Sequence, residues 1–156
     1  MMKVLFVCMG NICRSPTAQG VFEKLAAERG MLLDVMVDSA GTHAYHVGEP
    51  PDHRSQAAAE RRDVDISGQR ARQVTVEDFD LFDLVIAMDR QNLMALSRLC
   101  PPRHHNRLRL FMDFGPAGLP QNVPDPYYGG TQGFEDVLDI VEAACHGLLD
   151  HIQGSN

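Results

Sequence analysis

The sequence holds little cysteine: four residues in 156, at Cys8, Cys13, Cys100 and Cys145. They are too sparse to staple a secreted mini-protein, and the setting they fit is a reducing cytosol. Long apolar runs are missing too. No stretch approaches the roughly 20 apolar residues of a membrane span. The N-terminus has one lysine and a short apolar run ending in polar residues, without a signal-peptide core or a small-residue cleavage site. The expectation is a cytoplasmic protein with no membrane association. Basic residues are outnumbered, 14 Lys and Arg against 21 Asp and Glu, for a formal charge of -7. A field of that sign repels phosphate backbones and anionic bilayers, which disfavours nucleic-acid and membrane partners. A few converging donors can still hold one anion against it. Linkers, repeats and low-complexity runs are also missing, so residues 1–156 read as a single domain.

What is present alternates between strand-like and helix-like segments. Lys3–Cys8 is a nearly continuous apolar run, the pattern of a strand covered on both faces. Thr17–Gly30 reads as a helix stopped by Gly30. Val35–Ser39 is a second strand, and Asp52–Arg62 a helix preceded by Pro50-Pro51. Thr75–Phe79 is a short helix with Thr75 as its N-cap and Asp78 three residues on. Leu84–Met88 is a third strand, Asp89 caps a helix over Arg90–Leu99, Leu108–Phe111 is a fourth strand, and Phe134–Ile152 closes the chain as an amphipathic helix. The fold class expected is α/β: one three-layer domain, a four-stranded parallel sheet flanked by helices.

The reactive side chains are concentrated in "VCMGNICRSPTA", Val7 to Ala18, between the first strand and the first helix. Ligands of open α/β sheets bind beyond the carboxyl ends of the strands. Ser15 reads as an N-cap and Pro16 as the first helical residue, so the loop runs into a helix N-terminus that attracts anions. Cys8 and Arg14 bracket five residues, Met9, Gly10, Asn11, Ile12 and Cys13, enough for backbone amides to converge on one anion. Gly10 permits the curl, and Asn11 tolerates a left-handed backbone. Arg14 offers a planar fork for two phosphate oxygens. Cys8 beneath it is expected to be held as thiolate, with Ser15 donating to the sulfur. This is a nucleophile in a cradle for a tetrahedral phosphate. It implies a phosphocysteine intermediate and requires neither metal nor cofactor. A zinc site at Cys8 and Cys13 lacks a paired Cys/His cluster. His104-His105 beside Cys100 reads as an exposed loop.

With those residues in view, the chain resembles the low-molecular-weight protein tyrosine phosphatases nearly end to end. The likeness runs through "VCMGNICRSPTA", "DSAGT", "GEPPD", "RARQVTVEDF", "AMDRQN" and "DPYYGG". The resemblance implies Cys8 as nucleophile, Arg14 as transition-state clamp, and Asn11, Ser15 and Ser39 as the network that shapes the loop. Asp125, between Pro124 and Pro126, would be the general acid that protonates the leaving oxygen. Tyr127 and Tyr128, with Tyr45 on the facing loop, would line the pocket mouth as aromatic walls for a phosphophenyl group. Where many relatives carry a histidine, this chain has Gln69, which can support the loop by hydrogen bonding but cannot titrate.

The activity implied is metal-independent hydrolysis of protein phosphotyrosine. A protein arginine phosphatase is the alternative, but such relatives carry threonine where Ile12 stands. An arsenate reductase is weaker, because its chemistry needs two further cysteines close together and only Cys100 lies in the relevant stretch. A silent binding module has no support with Cys8 and Asp125 both present. Oxidised Cys8 captured by Cys13 is the redox control that fits. The partner implied is a phosphotyrosine-bearing protein, for which autophosphorylating tyrosine kinases of bacterial polysaccharide export are the family's precedent. A monomer or weak dimer is expected.

Overall fold

Four apolar segments pair side by side in the same direction: β1 (Met2–Cys8), β2 (Val35–Gly41), β3 (Leu84–Ala87) and β4 (Leu108–Leu110), in the order β2-β1-β3-β4. The computed structural model describes residues 1–126 and 130–154. Every pairing is parallel, which sets each connection as a crossover and clothes both faces of the sheet. Those connections carry α1 (Arg14–Glu28), α2 (His53–Glu60), α3 (Asp78–Leu81) and α4 (Arg90–Leu99), and α5 (Gly130–Gly154) ends the fold.

Alternation along β1 divides the core in two. Val4, Phe6 and Cys8 face one apolar cluster with Val21, Phe22, Leu138, Val141 and Leu148 of α1 and α5. Leu5 and Val7 face another with Phe79, Leu96 and Cys100, on the side of α3 and α4. Phe6 holds the first cluster together by edge-on contacts with Phe22 and Phe111, at centroid distances of 5.6 and 5.2 Å. Burying such a ring is worth about 2 to 3 kcal/mol, so β1 cannot shift register without exposing one of the two cores.

Because β1 lies between β2 and β3, the chain leaves it toward one sheet edge and later returns toward the other. The crevice beyond the carboxyl end of β1 is the place where helices from both faces diverge. Cys8 is the last residue of β1.

Two expected caps are corrected. Helix α1 starts at Arg14, and its N-cap is Cys13, not Ser15. The Ser15 hydroxyl is engaged with Cys8 and Asn11 inside the loop, so it cannot also close the helix end. Helix α3 starts at Asp78 with Glu77 as N-cap, not at Thr75. Asp78 instead reaches back to accept the Thr75 N–H at 2.8 Å, half of a capping box, across a turn closed by the Asp78 N–H on the Thr75 carbonyl at 3.1 Å. Asp89 caps α4 as expected, its Oδ1 accepting the Asn92 N–H at 2.7 Å.

Candidate active site

The loop from Met9 to Cys13 is fastened through its carbonyl groups. The Cys8 and Met9 oxygens accept the N–H groups of Thr42 and His43 at 2.9 and 3.0 Å, and the Ile12 oxygen accepts that of Asp52 at 2.8 Å. The Cys13 oxygen accepts both the N–H and the hydroxyl of Thr17. A trans peptide points its N–H opposite to its C=O. The amides of Met9, Gly10, Cys13 and Arg14 are therefore turned to the other side, into the concavity above Cys8. Asn11 has φ 58°, the left-handed turn that Asn accepts at low cost, and it donates its own N–H to the Cys8 Sγ at 3.3 Å.

Side chains lock this curl from below. The Asn11 amide donates to Ser15 Oγ at 2.8 Å and to Ser39 Oγ at 3.0 Å, and accepts the Arg72 N–H at 3.0 Å. Ser15 Oγ lies 3.1 Å from Cys8 Sγ. Gln69 accepts from Ser39 at 3.4 Å and donates to the Pro16 carbonyl at 3.0 Å, tying β2 to the start of α1. Asn11, Ser15 and Ser39 are all buried. A buried network with every member partnered is rigid. Gly41 completes it by its bareness, since a Cβ there would sit 2.8 Å from the Met9 oxygen.

Arg14, buried at the first turn of α1, spends one arm on anchorage. Its Nη1 donates to Asp89 Oδ2 at 2.6 Å and to the Val123 carbonyl at 3.1 Å. The rest of the fork remains for two oxygens of an anion. Burial opposes the Arg14 charge, but the Cys8 sulfur and the Asp89 carboxylate outweigh it and raise its pKa above the ordinary value. Asp125 stands 3.9 Å from Arg14 Nη2, on a segment pinned by the buried Val123 and Pro126.

These groups surround a pocket of about 260 Å³, lined by Cys8, the loop, Arg14, Asp125, Tyr45 and His46. Tyr45 is exposed and stacks on His43 with ring centroids 5.0 Å apart. Tyr127 and Tyr128 lie outside the described residues. Cys13 has its thiol pKa pushed up to about 12 by burial, with Asp52 and Cys8 adding to the effect against a hydrogen bond to Ser55. Cys8 and Cys13 are both free thiols in this state. No cluster of three or more metal-ligating side chains occurs among the described residues. His104 pairs with Asp80 and His105 with the Cys100 carbonyl, away from the site.

Sequence reasoning placed Asp89 only as a helix cap and left out the Arg72 amide, Gly41 and His46. Asp89 had a signal: it is an acidic residue directly beyond a buried parallel strand, within "AMDRQN", where the carboxyl edge of the sheet faces the loop. The Arg72 amide had none, because any residue carries one.

A family model described as low molecular weight phosphotyrosine protein phosphatase matches residues 3–156. The low molecular weight protein-tyrosine-phosphatase of Streptomyces coelicolor is 45% identical over 150 residues, 94% of this chain and 91% of that one. Among solved structures, the protein tyrosine phosphatase of Entamoeba histolytica superposes with a TM-score of 0.96 at 38% identity, covering 99% of each chain. The Drosophila arginine phosphatase aligns less closely, with a TM-score of 0.91 at 31% identity over 99% of this chain and 100% of that one.

Proposed function

The chain belongs to the low molecular weight phosphotyrosine protein phosphatase family and is a protein-tyrosine phosphatase; from that premise we propose that Cys8, Arg14 and Asp125 carry the reaction, with residues 1–156 acting as one domain. The observation that supports this most is the setting of Cys8: one sulfur under a ring of inward amides, within reach of the Asn11 N–H and Ser15, beside an anchored arginine.

Cys8 Sγ attacks phosphorus, the S–P bond forms, and the bond to the tyrosyl oxygen breaks as Asp125 gives that oxygen its proton. Arg14 and the loop amides hold the three equatorial oxygens through the transition state. Water then attacks the phosphocysteine, Asp125 takes its proton, and the thiolate leaves toward the Ser15 hydroxyl. Tyr45 contributes an aromatic wall to the mouth, and Gln69 supports the loop through Ser39 and Pro16. Ile12 provides no hydroxyl to orient water at a phosphoramidate, which sets arginine phosphatase activity second.

The reading extends to setting and control. The substrate is a phosphotyrosine protein of the cytoplasm, such as an autophosphorylating kinase, met by a monomer or weak dimer. Peroxide oxidises Cys8 to a sulfenic acid; the Cys13 sulfur attacks the Cys8 sulfur, the hydroxyl leaves as water with the Cys13 proton, and the disulfide formed is reduced by thiols.

Initial rates on a phosphotyrosine peptide in EDTA, beside phosphoserine and phosphoarginine, test the reading. Wild type turns over the first and Cys8→Ser loses roughly 10⁴-fold or more. Preference for phosphoarginine moves the assignment to the alternative, and equal rates in the variant remove Cys8 from the chemistry. For the redox arm, peroxide inactivation that thiol fails to reverse, or that Cys13→Ser leaves reversible, counts against the disulfide.

A further inference from the structure

A smaller chamber of about 160 Å³ opens beside the first pocket. The two share Met9, Arg14 and Asp125, while Asp89, Asn92 and Ala95 belong to the second alone. Nothing in the phosphatase reaction as described needs it.

Asn92 marks what it can take. The residue is 4% exposed, its backbone N–H is committed to Asp89, and its side-chain Oδ1 is buried with no hydrogen-bond donor. An amide oxygen stranded in this way is unfavourable, so a donor arriving from the chamber recovers free energy. Charge narrows the class of donor. The chamber's one arginine is already matched by the Asp89 carboxylate at 2.6 Å, which leaves it no spare positive charge. A phosphate dianion on Arg14 leaves the surroundings more negative still, on a chain whose formal charge is -7. An acidic ligand is repelled there, and a cation is drawn in. The walls contributed by Met9 and Ala95 are apolar, which suits the methylene stem of a long side chain with a charged head.

Resting on the phosphatase assignment, we propose that this chamber is a substrate subsite for a lysine or arginine side chain close to the phosphotyrosine, its stem on Met9 and Ala95 and its charged head donating toward Asn92. Met9 is 42% exposed and borders both chambers. An extended peptide advances about 3.3 Å per residue, so side chains one to three positions apart can fill both at once.

The test uses phosphotyrosine peptides in which one flanking position, within three residues on either side, is Lys, norleucine or Glu, read as kcat/KM at low ionic strength. At one or two positions Lys exceeds norleucine by roughly tenfold, the size of one charge-assisted hydrogen bond, and Glu falls below both. The Lys-to-norleucine ratio is then measured in Asn92→Leu, which removes the acceptor, and in Ala95→Leu, which narrows the chamber. The ratio is internal to each variant, so a general loss of activity cancels, and thermal unfolding of each confirms that it folds. Collapse of the ratio toward one in both supports the subsite. A flat profile at every position overturns it, as does a ratio unchanged in both variants, which assigns the preference to long-range charge. Turnover of the norleucine peptide continues in each of these outcomes, whereas failure of the phosphatase assignment abolishes it.

Discussion

Cys8 is 3% exposed and sits in a loop bonded on all sides to β2, α1 and the segment around Arg72. Asp125, the proposed acid, is an exposed carboxylate on the long connection before α5, anchored through its neighbours Val123 and Pro126. One half of the site is built as core and the other as surface. The cradle must hold converging dipoles at fixed distances, and a dipole misplaced by an ångström stabilises little. The acid must meet substrates of varied shape, let product leave and admit water, which an exposed arm allows. Changes in the cradle should therefore cost stability together with activity, and changes in the arm activity alone.

The largest separation is expected from Asp125→Asn. On phosphotyrosine, a poor leaving group, kcat falls about 10²- to 10⁴-fold. On para-nitrophenyl phosphate, whose phenolate leaves readily, the loss is smaller. The free energy of unfolding stays within about 0.5 kcal/mol of wild type, as for other exposed substitutions. A large drop in stability would show that the arm is part of the core after all.

Asp89→Ala is the counterpart in the cradle. It strips the buried Arg14 of its carboxylate partner and costs roughly 3 to 5 kcal/mol of stability by denaturant unfolding. It lowers turnover of both esters by a similar factor, because the clamp acts whatever the leaving group. Unequal losses on the two esters would place Asp89 nearer the proton transfer than the geometry does.

Gly41→Ala tests the tightness of the fit. A Cβ at 2.8 Å from the Met9 oxygen presses on backbone, which cannot swing aside as a side chain can. Stability falls by about 1 to 3 kcal/mol, and inorganic phosphate binds more weakly, as read by competitive inhibition. Gln69→Leu has the smaller effect of the two: it breaks the bonds to Ser39 and Pro16 at the edge of the network, for about 1 kcal/mol. Since Gln69 carries no titrating proton, its removal lowers kcat/KM without moving the pH profile.

What could be read from the sequence follows the same division. The parallel sheet and the apolar face of α5 were legible because β1 is apolar on both sides and α5 repeats at helical spacing, whereas the strand order was not. The cradle was legible because its residue types are unusual in combination, Cys8, Asn11, Arg14 and Ser15 within eight positions. Ser15 was misread as a cap because serine has the same local preference for a helix start whether its hydroxyl turns to the backbone or to a sulfur 3.1 Å away. The Arg14–Asp89 clamp joins residues 75 positions apart, and no local pattern encodes that pairing. The orphaned Asn92 oxygen was likewise invisible, since what strands it is the absence of a neighbour.

The smallest effect distinguishes the two cysteines of the loop. Cys13 has a folded pKa of about 12 against an ordinary 9.0, through burial first and the nearby Asp52 and Cys8 next. Folding thus favours the protonated thiol. That contribution is complete below pH 9 and is lost as pH rises from 9 toward about 12, each unit costing about 1.4 kcal/mol while the unfolded chain alone is ionised. Burial raises Cys100 and Cys145 in the same direction, so they add to the loss. Unfolding midpoints should therefore be flat in this respect from neutral pH to about 9 and then fall steeply, and Cys13→Ala should fall less steeply. At neutral pH the expected signature is only a difference in labelling: iodoacetamide modifies Cys8, phosphate protects it, and Cys13 stays unlabelled because its proton is held. Equal labelling of both thiols at neutral pH would mean that burial does not hold the Cys13 proton as the closed cradle requires.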